Sequence, residues 1–193
     1  NNVITLASVP LIMDKGAGYY KNYGMGRSRG TLPFQLSGNI KRGGLVEKAF
    51  GLTLRELLYD FGGRSLSGRP IRAVQVGGPL GAYIPESQFD TPLDFNGPGK
   101  VGCLGLGTAA VTVIDDQTSM VDVLYNTCRF YAHESCGQCT PCREGTGWMF
   151  KIVDRIRRGE GRLDDLDLLA EVGDRIGIMP GTTICGLADG AGW

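Results

Sequence analysis

Four of the six cysteines in this sequence are spaced to share one metal cluster. Cys136, Cys139 and Cys142 form a Cys-x2-Cys-x2-Cys run, and Cys185 follows much later in the chain. Thiolates spaced three residues apart can bind one compact object when the loop between them curls, and Gly137 permits the backbone angles that curling requires. Three clustered thiolates plus one distant thiolate is a ligand arrangement typical of a [4Fe–4S] cluster.

Other uses of these cysteines agree less well with their spacing. A zinc ion held by four cysteines is the alternative, although zinc modules usually present two separated Cys-x2-Cys pairs. Disulfides are disfavoured because the three clustered cysteines lie too close together to bridge one another. A thioredoxin-like site would need a βαβ context, which the sequence around Cys136 lacks. The spacing therefore favours an iron–sulfur cluster over a zinc-stabilised structural module.

The remaining candidate groups are interpreted as structural. Cys128 lies on an apolar helix face and Cys103 in a Gly-rich loop, so both are predicted to be buried free thiols. His133 is predicted to be a polar helix-end residue, with a hydrogen bond to cluster sulfur as the alternative. Residues 102–107 resemble a dinucleotide loop but precede a strand instead of following one, which is the wrong context for a phosphate cradle.

The helix that follows the cysteine run is predicted to begin beside the cluster. Thr140 is a good N-cap residue, and Pro141 suits the first helical position. Glu144 in the first turn complements the positive end of the helix dipole. That same positive end favours an anionic cluster.

The elements around the cysteines predict an α+β chain in three segments. Residues 1–30 form a short helical approach, interrupted at Pro10, and then a Gly-rich linker over residues 26–30. Residues 31–117 form a β-grasp domain, and residues 118–193 form a small helical bundle that carries the cluster. We expect the sequence to be a fragment of a longer chain, because it begins without an initiator Met.

The β-grasp prediction depends on the order strand, strand, helix, strand, strand. Alternating apolar residues from Leu32 to Leu36 predict the first strand. Thr53 and Glu56 form a capping box that opens an amphipathic helix. Between the last two strands, residues 77–107 are rich in Gly and Pro and are predicted to form one long loop.

The composition describes a globular protein and excludes several functional classes. Of the 193 residues, 42% are hydrophobic, and the 20 basic and 20 acidic side chains give a formal net charge of zero. Nucleic-acid binders normally carry a basic excess, so no nucleic-acid partner is expected. No apolar run approaches the roughly 18 residues that a membrane span needs, so no direct membrane insertion is expected. Cysteines arranged for a metal rather than for disulfides indicate a cytoplasmic location.

The cysteine segments also resemble those of a known family. Residues 134–145, ESCGQCTPCREG, resemble the cluster motif of the NADH-binding flavoprotein subunit of respiratory complex I, an NADH-quinone oxidoreductase. Related subunits serve as diaphorases in NAD-dependent formate dehydrogenases and NAD-reducing hydrogenases. Residues 183–189 resemble the family's fourth-ligand loop, and residues 1–6 resemble the segment that closes its flavin domain. Residues 30–63 resemble its β-grasp (soluble-ligand-binding) domain.

The resemblance implies an electron-transfer enzyme. Electrons would pass from NADH through FMN to a [4Fe–4S] cluster in an NADH:quinone oxidoreductase, with a formate dehydrogenase or hydrogenase diaphorase as the alternative. The cluster ligands would be Cys136, Cys139, Cys142 and Cys185, and no catalytic acid, base or nucleophile is implied. The implied partners are other electron-transfer subunits, including a [2Fe–2S] subunit. The implied location is peripheral, on the cytoplasmic side of a membrane-bound complex.

The resemblance also implies flavin contacts at the two ends of the chain. Asn1, Asn2 and Thr5 would contact FMN from one end, and Leu187 and Ala188 would approach it from the other. Most FMN contacts and the Gly-rich loop for NADH would lie upstream of this sequence, so the chain alone is not expected to turn over NADH.

Overall fold

The computed structural model describes residues 2–177 and 181–193. The chain divides into two compact units, Asn1–Asp116 and Gln117–Trp193, and each is described by itself. The first unit combines helices with a mixed sheet, and the elements described in the second unit are helices. The mixed α/β content predicted from the sequence is therefore confirmed.

A mixed sheet forms the core of the first unit. A small hairpin consists of β1 (Gly24–Met25) and β2 (Ser28–Arg29). The strands of the large sheet are β3 (Thr31–Gly38), β4 (Gly44–Ala49), β5 (Ile71–Val76), β6 (Ala82–Pro85) and β7 (Ala110–Asp115). Within the described part of the chain, the large sheet has the order β4–β3–β7–β5–β6. β3 and β7 are parallel, with Leu36 opposite Val111, and the other neighbouring strands are antiparallel. The first and last strands of the sheet thus lie side by side at its centre.

An amphipathic helix packs its apolar side into the core of this sheet. The helices of the first unit are α1 (Val3–Lys15), α2 (Ala17–Lys21), α3 (Leu54–Glu56, continued by a π-helical turn over Leu57–Phe61) and α4 (Gly97–Lys100). The Thr53 hydroxyl accepts the Glu56 N–H at 3.2 Å, and the Glu56 carboxylate accepts the Thr53 N–H at 2.8 Å, which forms the predicted capping box. Helix and strands together supply the fully buried side chains of this core: Phe34, Leu54, Leu57, Leu58, Val74 and Val111.

The segment predicted as one long loop, residues 77–107, contains regular structure, so that prediction is wrong in part. β6 pairs with β5, placing Ile84 opposite Val74, and both side chains are fully buried. A 3₁₀ turn follows over Glu86–Gln88, and α4 comes later. β6 has only four residues, so its alternation of apolar and polar side chains is too short to be detected in the sequence. The strand is stabilised by its pairing with β5.

The N-terminal segment also departs from the prediction. α1 continues through Pro10 to Lys15. No side chain of α1 is buried, so solvent can satisfy the carbonyl that Pro10 leaves without an N–H donor. Neither α1 nor any other helix in the described residues is long and apolar enough to cross a membrane. Part of the predicted linker over residues 26–30 lies in the β1–β2 hairpin, where the buried Ser28 hydroxyl accepts the Phe95 N–H at 3.1 Å.

The second unit is built on helices around a small core. The helices are α5 (Met120–Glu134), α6 (Thr140–Arg157), α7 (Asp164–Ile176) and α8 (Leu187–Gly192). The Ser119 hydroxyl caps α5 by accepting the Asp122 N–H at 3.2 Å. Residues from α5, α6 and α7 form the core: Cys128, Met149, Val153, Val172 and Ile176. Helices α5, α6 and α7 thus share one apolar core within this unit.

One ion pair connects the end of α6 to the start of α7. The Arg155 guanidinium donates through Nε to Asp165 Oδ2 at 3.0 Å and through a second nitrogen to Oδ1. The Arg162 backbone N–H also donates to Asp165 Oδ2, at 2.8 Å. The Asp165 side chain is almost fully buried, and the Arg155 guanidinium holds the pKa of its carboxyl below the ordinary value. The buried charge is thus paired on both oxygens.

Candidate metal centre

The three clustered cysteines lie on the connection between α5 and α6. Ser135 is the C-cap of α5, and its N–H donates to the Tyr131 carbonyl at 3.1 Å. Cys139 is the N-cap residue of α6, and Cys142 lies in the first turn of that helix. Cys136 follows Ser135 directly. Helices therefore hold both ends of the cysteine run.

The start of α6 differs by one residue from the prediction. Cys139, rather than Thr140, takes the N-cap position, with extended backbone angles and no capping hydrogen bond from its side chain. Thr140 and Pro141 become the first two helical residues, a position that suits proline because its missing N–H would have no helical partner. Cys139 consequently lies at the positive end of the helix dipole, which favours an anionic cluster beside it.

Gly137 gives the cysteine run its curl. Its φ of 78° lies in the left-handed region, which costs a residue with a side chain about 1 kcal/mol. The Arg143 guanidinium donates to the Gly137 carbonyl at 2.9 Å and so ties the loop to α6. Gly137 therefore adopts the left-handed backbone conformation that the predicted curl requires.

Cys185 reaches the same region from the segment that precedes α8. The Thr183 hydroxyl donates to the Cys185 carbonyl at 3.1 Å. The Ile184 backbone N–H donates to the Sγ of Cys139 at 3.3 Å. The two separate cysteine segments are therefore joined by a hydrogen bond that ends on a cysteine sulfur.

All four cysteines line one cavity of about 100 Å³ within the second unit. The other residues around it are Glu134, Ser135, Gln138, Thr183 and Leu187. The cavity is several times larger than the roughly 10–15 Å³ that one water needs, so it admits a group larger than a single ion. Cys142 is buried, whereas Cys136 and Cys185 are exposed. The cavity thus opens to solvent on the side of the exposed thiols.

The donor set fits a [4Fe–4S] cluster. Four cysteines line a single cavity, and two of their sulfurs already have hydrogen-bond partners. The Ser135 hydroxyl lies 3.2 Å from the Sγ of Cys142, and the Ile184 N–H donates to the Sγ of Cys139. Hydrogen bonds of this kind stabilise the negative charge on cluster thiolates. The positive end of α6 acts in the same direction.

A zinc ion would need a different arrangement of the four sulfurs. It would need its four sulfurs at about 2.3 Å from one point. Among residues 2–177 and 181–193, no three Cys, His, Asp or Glu side chains are arranged to hold one metal ion. A cluster in which each of four irons takes one thiolate needs its ligands around a volume, and all four cysteines line one cavity.

The other two cysteines are buried in hydrophobic cores, as predicted. Cys128 packs with Met149 and Val153, and burial raises the pKa of its thiol to about 11. Cys103 is buried in the core of the first unit, and burial raises its pKa as well. Both thiols are therefore protonated near neutral pH, and neither lines the cysteine cavity.

His133 lies on α5 but does not line the cysteine cavity. It borders a surface groove with Asn126, Arg129 and Phe130, all from the same helix. This position agrees with the prediction of a polar residue near a helix end.

The residues expected to contact FMN lie in both units. Asn1 lies outside the described residues. Asn2 caps α1, with its side-chain oxygen accepting the Ile4 N–H at 2.8 Å, and Thr5 is exposed on that helix. In the second unit, Leu187 lines the cysteine cavity, and Ala188, beside it on α8, is fully buried.

The glycine-rich run over residues 102–107 has a packing role. It leads into β7, and Gly107 lies against the backbone of Gly77, where a Cβ atom would overlap. The close approach of two backbones explains the glycine without a phosphate ligand. The structure thus agrees with the interpretation that this run lacks the context of a nucleotide loop.

Sequence reasoning missed two groups that contact the cysteine sulfurs. The Ser135 hydroxyl had a detectable signal, because this residue directly precedes the first clustered cysteine. The Ile184 contact comes from a backbone N–H, which every residue except proline carries, so residue type gave no signal for it.

Known proteins are similar in sequence to both the cysteine region and the rest of the chain. Residues 122–193 match the NADH-ubiquinone oxidoreductase-F iron-sulfur binding region. Among curated proteins, the second F-type subunit of the NADH-quinone oxidoreductase of Rhizobium meliloti (strain 1021) is 43% identical over 191 residues, which is 99% of this chain and 44% of the relative. The corresponding F-type subunit of Escherichia coli (strain K12) is 40% identical, over 99% of this chain and 42% of the relative. The chain thus spans less than half the length of these relatives.

A solved structure is similar along the whole chain. The crystal structure of an NAD+-reducing [NiFe]-hydrogenase in the air-oxidized state aligns with a TM-score of 0.84 and 34% sequence identity. The alignment covers 100% of this chain and 32% of the hydrogenase chain.

The fold and the cavity define a mixed α/β protein in which four cysteines line one cavity. Residues 122–193 are similar to the NADH-ubiquinone oxidoreductase-F iron-sulfur binding region. The resemblance to the F-type subunit of NADH-quinone oxidoreductase is confirmed over 99% of the chain, and the family match supports the predicted [4Fe–4S] cofactor.

Proposed function

We propose that this chain belongs to an NADH:quinone oxidoreductase and carries electrons that leave NADH by way of FMN. The cluster ligands are Cys136, Cys139, Cys142 and Cys185, each binding one iron through sulfur. When bound, a [4Fe–4S] cluster accepts and releases single electrons, which suits it to follow a flavin that receives two at once. The observation that carries the proposal is the single cavity lined by all four thiols.

The residues of the chain have positioning and electrostatic roles in this function. The left-handed backbone at Gly137 lets the run of three cysteines face one space. The start of α6 provides positive dipole charge next to Cys139. Buried Cys142 is fixed on its helix, because the Thr146 hydroxyl donates to its carbonyl at 2.7 Å. A site held in this way keeps its geometry when its charge changes, which favours fast electron transfer.

The domain assignment is part of the proposal. Residues 1–30 end the FMN and NADH domain and form a linker, residues 31–117 form a β-grasp domain, and residues 118–193 form the cluster domain. The β-grasp description is supported by the central parallel pair β3–β7 and by the single amphipathic helix between the two hairpins of the sheet.

FMN and NADH are proposed to bind mainly to protein that this chain does not contain. The chain spans 44% of a curated relative, which leaves room for a nucleotide-binding domain in the full-length protein. The proposed flavin contacts in this chain are Asn1, Asn2 and Thr5 in the first unit, and Leu187 and Ala188 in the second. Leu187 lines the cysteine cavity, which supports a role for it near the cofactors.

The proposed partners are further electron-transfer subunits, including one with a [2Fe–2S] cluster. The named relatives are subunits of NADH-quinone oxidoreductase, which supports an assembly with other subunits. The proposed location is cytoplasmic and peripheral to a membrane-bound complex. Free thiols arranged for metal binding support a reducing compartment.

A second candidate function is the diaphorase of an NAD-reducing hydrogenase. The observation that favours it is the structural match to such a hydrogenase at 34% identity. The chemistry at the cysteine cavity would be the same, and only the final electron acceptor would differ. The identity of the subunit that copurifies with the full-length protein distinguishes the two.

The test compares the 193-residue chain with the full-length protein. Purified anaerobically, both should contain about four irons per chain by the ligand count of a [4Fe–4S] site. Their brown absorption should bleach with dithionite. The full-length protein should reduce ferricyanide with NADH, whereas the 193-residue chain should not, because the pyrophosphate cradle for NADH is proposed to lie outside this chain. A colourless protein with one zinc would overturn the proposal.

A further inference from the structure

The Ser135 side chain is hydrogen-bonded to a sulfur of the cysteine cavity. Its Oγ lies 3.2 Å from the Sγ of Cys142, within range for a hydrogen bond to sulfur. Either atom could donate when both are protonated. Once Cys142 is a thiolate its sulfur can only accept, so the hydroxyl must be the donor.

Both partners of this contact are fixed by their own helices. The Ser135 N–H donates to the Tyr131 carbonyl at the end of α5. The Cys142 carbonyl accepts from Thr146, which is 1% exposed. Cys142 itself is 8% exposed, so little water competes for its sulfur. The hydrogen bond therefore belongs to the packed junction of α5 and α6 and not to a flexible surface loop.

We propose that Ser135 is a positioning residue that raises the reduction potential of the cluster through its hydrogen bond to Cys142. This inference rests on the proposed function, in which Cys142 ligates the cluster. Hydrogen bonds to cluster sulfurs are one of the means by which proteins set iron–sulfur potentials. Ser135 is not a ligand itself, and it acts only on the sulfur of Cys142.

The sign of the effect follows from charge. Reduction adds an electron to an already anionic site, and part of that charge resides on the thiolate sulfurs. A donated O–H stabilises the reduced state more than the oxidised state, because the acceptor is more negative after reduction. Loss of the hydroxyl should therefore make reduction harder.

The test is a redox titration of the iron-loaded, full-length protein followed by electron paramagnetic resonance. Ser135→Ala should keep its iron and show a reduction equilibrium constant about three- to tenfold less favourable, where tenfold equals about 59 mV for one electron. Ser135→Thr keeps a hydroxyl and should restore the potential. Ser119→Ala is the matched control, because it removes a serine cap at the other end of α5 and should lower the melting temperature without moving the potential.

Two results would overturn the inference. One is a loaded Ser135→Ala protein whose potential equals that of the wild type. The other is loss of iron from both Ser135→Ala and Ser135→Gly, which would assign the hydroxyl to cluster assembly instead of tuning. If the unsubstituted protein holds no iron–sulfur cluster, the proposed function itself fails, so the two failures are distinguishable.

Discussion

The backbone N–H of Ile184 donates to the Sγ of Cys139 at 3.3 Å, across a gap of 45 positions in the chain. This bond joins the segment that carries Cys185 to the segment that carries the other three cysteines. The segment of Cys185, the proposed fourth ligand, is thus held beside the segment of the other three cysteines by a contact of the protein chain itself. Cluster binding and the local fold of the second unit are therefore expected to depend on each other.

The first prediction is that Cys185→Ala abolishes stable cluster binding. The remaining three thiols would leave one iron without a protein ligand, and a metal site contributes directly to folding free energy. Iron analysis and visible absorbance should show a large loss of cluster, and the second unit should become more susceptible to proteolysis. Full iron content in the variant would contradict the ligand assignment.

The second prediction is that Cys128→Ala keeps its iron. Cys128 is buried in the helical core, and its pKa of about 11 leaves it protonated near neutral pH. Replacement removes a small buried group, so we expect a loss of about 1 kcal/mol in unfolding free energy. Chemical denaturation and iron analysis on the same sample separate the two effects. A loss of iron equal to that of Cys185→Ala would show that Cys128 acts at the metal site.

The third prediction uses two glycines on α6 with opposite surroundings. A Cβ on Gly145 would overlap the Cγ2 atom of Ile176 on α7, whereas a Cβ on Gly147 would meet no atom within 4 Å. Gly145→Ala should destabilise the unit by about 1–3 kcal/mol, because it forces the packed helices apart. Gly147→Ala should stabilise it by about 0.5–1 kcal/mol, because alanine restricts the unfolded chain. Thermal denaturation of both variants tests this prediction. Equal changes in the melting temperature would contradict the packing described for Gly145.

Local sequence signals predicted the parts of the fold that depend on neighbouring residues. The capping box at Thr53 and Glu56 forms as expected, since its hydrogen bonds span only three residues. β6 was missed because its stability comes from pairing with β5, a tertiary contact. The N-cap of α6 was displaced by one residue, from Thr140 to Cys139, because the cysteine loop and not side-chain capping determines where the helix begins.

The candidate site, like the fold, has some features that the sequence predicted and others that it did not. Spacing alone singled out Cys136, Cys139, Cys142 and Cys185, because the number and separation of thiols limit which metal group they suit. The hydrogen bond from Ser135 depends on how α5 and α6 pack against each other. Side-chain type and spacing do not contain that information, so it required the three-dimensional structure.

The fourth prediction concerns acid stability of the second unit. The pKa of Asp165 is held below its ordinary value, mainly by its hydrogen bonds from Arg155. The pair therefore stabilises the fold at pH values above the ordinary Asp range, and the stabilisation disappears as pH falls through the lowered folded value. Asp165→Asn should lower the melting temperature at neutral pH, and its difference from the wild type should shrink in acid. Glu171→Gln, which removes an exposed pair with Arg175 on α7, is the control and should change little.

The last prediction separates backbone strain from cluster binding. Gly137 and Gly159 both have a φ of 78°, but Gly137 lies within the cysteine run and Gly159 lies outside it. Alanine at either position should cost about 1 kcal/mol in unfolding free energy, because a side chain disfavours left-handed backbone. The Gly137→Ala protein should also release iron faster to a chelator, because any shift of the loop changes the positions of Cys136 and Cys139. Gly159→Ala should lose iron at the wild-type rate, because Gly159 lies in the turn after α6, away from the cavity-lining residues. Equal rates of iron release in the two variants, at equal losses of stability, would show that the curl at Gly137 does not position the ligands.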